Sequence, residues 1–291
     1  MEHPLSVSSA GTQDVGLPEL PYSLRTRKRN IFMFWSVALL SSCLVPLVLF
    51  YALYFDTDLE EWIIFTLTTC LVGVLDVAPT LIIRAYKLVR KDPFSRPLGA
   101  NRWSLDFFMY NFTLGFFFVI AALIAGTAPH NPIIRLVAMP ASVFLYYHGI
   151  QMTLFNLLHL GHVKAPFRIS SVPRGQRIPP PVYTLIEDVV GTDGAGGHPY
   201  REALRLRFDA SPIFRRMLVN LGFFWSIPSL IIAAALTAII WTVPRPVGYG
   251  LGWGVPFTFA AIWSIITTRW VQRILKEEKE TWGKENAVQT G

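Results

Sequence analysis

Six apolar runs, each roughly 20 residues long, dominate the chain and limit what it can fold into. They fall at about 31–54, 62–83, 103–127, 133–160, 217–243 and 249–268. A helix rises about 1.5 Å per residue, so each run reaches across a hydrocarbon core of about 30 Å. Only 15% of the residues are charged, against about 25% in an ordinary soluble domain. That leaves too little polar surface to dissolve a soluble fold of this length. The expected fold is all-α, a polytopic membrane helix bundle of about six transmembrane helices.

The formal charge of +7 would point to nucleic acid in a soluble protein. No basic stripe interleaved with aromatics and no nucleic-acid motif accompanies it. With the N-terminus placed in the cytosol, 24 of the 26 Lys and Arg residues lie in inner segments, leaving only Arg135 and Arg245 outside. The positive-inside rule then puts both termini in the cytosol, facing anionic headgroups. The expected parts are a disordered leader (1–24), helices one to four (25–160), a cytosolic segment with amphipathic helices (161–216), helices five and six (217–268) and a charged tail (269–291).

Asp76 is the one carboxylate well inside an apolar run, roughly 12 Å from its cytosolic edge. Asn111 and Asn156 reach a similar depth, which suggests a buried polar layer. In the cytosolic segment, Lys164, Arg168, Arg174 and Arg177 lie close enough to a span end to meet headgroups. Val182, Leu185, Ile186, Val189 and Val190 share a helical face. Leu185 and Val189 on that face are candidates for the membrane interface or a cytosolic protein partner. His148 and His159 share one helix face and cannot oppose each other across one haem iron. His159 and His162 read as interface histidines facing headgroups. The stretch 191–197 resembles a phosphate cradle but follows no strand and lacks the closing Lys-Ser/Thr, so it reads as a flexible acidic turn. No metal set, cofactor motif or catalytic constellation is expected.

Several stretches resemble an uncharacterised family of filamentous-fungal multi-span membrane proteins. They are Arg27-Lys28-Arg29-Asn30, Pro166-Phe167-Arg168-Ile169-Ser170-Ser171, Tyr183 through Val190, and Ala210-Ser211-Pro212-Ile213-Phe214-Arg215. The resemblance implies no activity and no catalytic residue, and a fungal origin only an association with secondary metabolism. Three functions fit these features. The first is a non-enzymatic scaffold or accessory acting through 161–216. The second is an embedded enzyme on a lipophilic substrate, with Asp76 as acid in the manner of terpene cyclases. The third is a small transporter, suggested by Asp76 and by a weak echo in which Gly73 and Pro79 recur 149 residues later as Gly222 and Pro228.

Overall fold

The computed structural model describes residues 16–21, 28–60, 62–64, 67–68, 78–91, 93–129 and 131–290. Its regular structure is helical. Extended pairing among these residues is confined to two isolated bridges, Lys164 with Arg177 and Ile169 with Val172. Helix α1 (Lys28–Leu39) passes through a widened turn, Leu40–Leu44, into α2 (Val45–Asp56). Pro46 supplies no N–H to the helical ladder, and the turn before it widens accordingly. Then come α3 (Ala78–Tyr86), α4 (Phe107–Thr127), the short α5 (Ile134–Val137) and α6 (Pro140–Leu160). The segment after α6 folds as a loop followed by α7 (Pro181–Asp188) and α8 (Gly197–Ala210). Two long helices close the chain, α9 (Pro212–Thr242) and α10 (Arg245–Thr290).

Three stretches are long and apolar enough to cross a membrane by length and composition: α4, α9 and Arg245–Lys284 of α10. Only 22%, 28% and 22% of their most apolar windows are buried inside the protein. Phe117, Ile231 and Ile265 are among the large side chains turned outward. A soluble monomer does not tolerate apolar exposure on this scale, so hydrocarbon is the surrounding these helices suit.

Helix α9 is the spine, packing along both α6 and α10. Against α6, Asn156 donates from Nδ2 to the Val219 carbonyl at 3.0 Å. A Cβ on Gly222 would sit 2.2 Å from that nitrogen, so this crossing requires glycine. Against α10, the contact repairs a defect. Pro228 lies inside α9 and has no N–H to offer the carbonyl four residues back, at Phe224. The Trp263 indole N–H takes that orphan carbonyl at 2.8 Å. In a hydrocarbon setting no water would do so.

Of three apolar clusters among the described residues, two are large. One joins Phe50, Leu123, Val137, Ile240 and Trp253. The other joins α7, α8 and the start of α9 through Tyr183, Leu204 and Leu218. The charged tail is no free extension. Trp270, Ile274 and Leu275 of α10 pack on the second cluster, and buried Glu278 pairs with Arg207 at 2.6 Å. Arg207 also donates to the Pro18 carbonyl, and Leu20 joins the same cluster, which ties down residues 16–21 of the expected leader.

Replacing Trp263 with Phe should destabilise the protein by about 1–2 kcal/mol, because the Phe224 carbonyl loses its donor. Adding Pro228→Ala restores an N–H to the helical ladder, so the double variant should recover part of that loss. Thermal unfolding in detergent measures both, and strictly additive effects would contradict the repair.

A buried ion-pair cluster as candidate functional site

Four chain segments bring their charged residues together where α4 meets the segment 161–216. Asp106 precedes the apolar run of α4 and caps it, with Oδ1 accepting from the Met109 N–H at 2.9 Å. Its other oxygen accepts from Arg84 at 2.6 Å and from the Thr192 hydroxyl at 3.2 Å. Arg84, at the end of α3, also pairs with Asp193, donates to the Asp188 carbonyl at 3.1 Å and stacks on the Phe108 ring at 4.5 Å. Arg84 counts with the basic cytosolic loop by sequence, yet it is buried.

Arg201 of α8 forms the second half. Its guanidinium is fully buried and donates to Glu187 at 3.0 Å, to Asp188 at 2.9 Å and to Thr192 Oγ1 at 3.2 Å. A Cβ at Gly191 would come within 2.7 Å of Arg201 Nε, so the glycine leaves room for the guanidinium. Asp188 completes its shell through Oδ2, which accepts from the Phe108 N–H at 3.0 Å and from the Ser170 hydroxyl. Ser170 sits in a tight turn between Ile169 and Val172 with φ 49, and also accepts from the Phe107 N–H at 3.0 Å. The turn thus delivers one hydroxyl to both the helix start and the carboxylate.

The charges do not balance. Asp106, Glu187 and Asp188 are buried beside only two buried guanidiniums, while Asp193 and Lys87 stand at the rim. Burial pushes the Asp188 carboxyl up to about 7, helped by the negative charges of Asp106 and Glu187 and opposed by Arg201 and Ser170. Burial raises Glu187 as well, against the pull of Arg201. The opposing carboxylates outweigh burial at Arg201 and keep its guanidinium charged.

The sequence-derived candidates are placed unevenly around this cluster. Asp76 lies outside the described residues. Asn111 accepts from the Tyr147 hydroxyl at 2.8 Å and donates to Gln151 at 3.5 Å, whereas Asn156 bonds to α9, so the two asparagines serve different contacts. Arg168 clamps the Leu98 and Gly99 carbonyls, and Arg177 caps α6 at the His159 carbonyl. Lys164 and Arg174 remain exposed. Leu185 is partly exposed, while Val182 and Ile186 turn into the core beside half-buried Val189. His159 does not face headgroups: it is buried, with Nδ1 at 2.7 Å from the Ile178 carbonyl. The stretch 191–197 is no loose turn, because Gly191 and Thr192 are buried under Arg201.

Asp106, Arg84 and Arg201 are the members that sequence reasoning missed. Asp106 carried a signal, an acidic residue directly before a long apolar run. Glu187 and Asp188 carried another, adjacent acids inside an apolar-faced helix. Arg201 carried none. Among the described residues no group of three or more His, Cys, Asp or Glu side chains is arranged to hold a metal ion.

Arg201→Met should destabilise the protein by about 3–5 kcal/mol, since it strands two buried carboxylates. Between about pH 4 and 7 the folded chain keeps a proton on Asp188 that the unfolded chain has released. Stability from this group therefore falls as pH rises through that window and levels off above it. The melting temperature should be lower at pH 8 than at pH 5, and Asp188→Asn should flatten the slope. A wild-type melting temperature that climbs across the window would contradict this assignment.

No curated protein and no solved structure matches the chain. A family model described as a domain of unknown function, DUF8766, matches residues 5–282. The matched span contains every residue of the cluster, and the chain belongs to the DUF8766 family.

Proposed function

We propose that the protein is a non-enzymatic multi-pass membrane scaffold, with six spans and both termini in the cytosol, whose segment 161–216 is a rigid cytosolic platform for a partner. The observation that carries this reading is that the charged groups of the ion-pair cluster are paired with one another. Each buried carboxylate meets a guanidinium, and Asp106 and Asp188 also bind hydroxyls and backbone N–H groups of the chain itself. The cavity beside it has about 60 Å³ of space, far less than a lipophilic substrate needs. Groups arranged in this way hold elements together instead of presenting a reagent.

The platform's outer surface supports an interface role. Trp103 and Phe167 are exposed near Arg102 and Lys164, the aromatic-plus-basic mixture that settles at the headgroup level. Lys164 and Arg174 are not needed to hold the fold, unlike Arg168 and Arg177, and are left to meet a partner or anionic lipid. A second reading, an embedded enzyme, draws on one observation: a buried carboxyl at Asp188 that titrates near neutrality.

Two measurements test these readings. Protease protection in sealed vesicles should leave both termini open to digestion from the cytosolic side; protection of either terminus contradicts the topology. Lys164→Glu with Arg174→Glu should abolish crosslinking to cytosolic proteins while insertion persists, and Asp188→Asn should preserve it. Loss of a metabolite in Asp188→Asn, with crosslinking intact, would instead favour the enzyme.

A further inference from the structure

We infer that the cavity between α4, α6 and α7 binds the hydroxyl head of a neutral lipid whose hydrocarbon chain lies in the membrane. This inference rests on α4 as a membrane helix and not on the scaffold reading. The space, about 60 Å³, exceeds the ~10–15 Å³ that one water requires and takes a small head of a few heavy atoms.

The walls present an uncharged donor and acceptor set. Thr184 lines the cavity with its side chain 2% exposed, and its Oγ1 has no partner among the described residues. A buried hydroxyl in that state is destabilising unless a hydrogen-bonding group fills the space. His148 places Nδ1 at 3.1 Å from the Phe144 carbonyl, so Nδ1 carries the proton and Nε2 is an acceptor. On the third wall the Tyr147 hydroxyl donates to Asn111 Oδ1, which turns the Asn111 amide toward Gln151 Oε1. That fixes Gln151 with its NH2 left to donate. Together these walls suit a group that both gives and takes a hydrogen bond, as a hydroxyl does.

Charged heads do not fit. Both Asp188 oxygens are occupied by Arg201, Ser170 and the Phe108 N–H. Arg84 is engaged by Asp106 and Asp193 and stacks on Phe108, a wall of the cavity. An anion would find no available cation there, and a cation no bare carboxylate. Depth selects a lipid over a soluble alcohol. Asn111 lies about 7 Å along α4 from its cap at Asp106, near the level where lipid heads give way to chains. Exposed Leu114 and Phe118 continue the apolar surface of α4 from there.

The test uses the full chain in phosphatidylcholine nanodiscs with three photoreactive probes of equal chain length: hexadecanol, hexadecanoic acid and hexadecane. Hexadecanol should label residues lining the cavity, and the other two should label them weakly. Thr184→Val should cut that labelling about threefold to tenfold, the worth of one neutral hydrogen bond, while Thr184→Ser retains it. Gln151→Leu should reduce it independently, which keeps the test open if Thr184→Val fails to fold. Equal labelling by the acid or the alkane, or labelling unchanged in both Thr184→Val and Gln151→Leu, overturns the inference. Absence of labelling also overturns it and leaves the cavity to water.

Discussion

Taking a guanidinium and carboxylates out of water is expensive, and it is tolerated only where each charge finds its partners at short range. Arg201 meets that condition by sitting between Glu187 and Asp188 while Thr192 fills its second edge. Arg84 meets it against Asp106 and Asp193. The two halves share Thr192 and the backbone of Asp188, so neither closes without the other. Helix α4 starts at this junction, α7 ends there, and α8 is oriented by its arginine. Outside it, apolar packing sets positions only loosely; the directional bonds of the cluster give the segment 161–216 one seating against the bundle.

The bundle meets a different demand with the same logic. Helices in hydrocarbon gain little from burying apolar surface against each other, so close approach and hydrogen bonds must specify the crossings. Gly222 lets Asn156 reach a carbonyl on α9, and Trp263 takes the carbonyl that Pro228 leaves open. Each contact is a polar bond made between closely packed helices. The tail of α10 then folds the arrangement back on itself, because Glu278 pairs with Arg207 beside the cluster of α7, α8 and the start of α9.

The helical class and three of the six expected spans were legible, as apolar blocks whose length matches the thickness of a bilayer. The candidate site was legible only in fragments. Pro166 through Ser171 and Tyr183 through Val190, singled out by resemblance, supply Arg168, Ser170, Glu187 and Asp188 to the cluster or its clamp. Arg84 was hidden among other basic residues of its loop, since composition cannot tell a solvated arginine from a buried one. Arg201 sits in a polar helix with no local mark, and only the fold brings it to its partners. Asp76 drew attention because it interrupts an apolar run. The buried acids here do so less conspicuously, at a helix cap and at the end of an amphipathic turn.

The spacing of the cluster along the chain has a consequence for biosynthesis. Arg84 and Asp106 are 22 residues apart, whereas Arg84 and Asp193 are 109 apart. At about 5–20 residues per second, the ribosome takes roughly 5–20 s to deliver the second half. The Arg84–Asp106 pair can form in the nascent α3–α4 hairpin and neutralise itself during that wait. Asp188 and Arg201, only 13 residues apart, emerge as a second pre-matched pair. Arg84, Asp106, Asp188 and Arg201 thus each emerge with a partner close by in sequence, and final docking brings Asp193 of the acidic second half to Arg84.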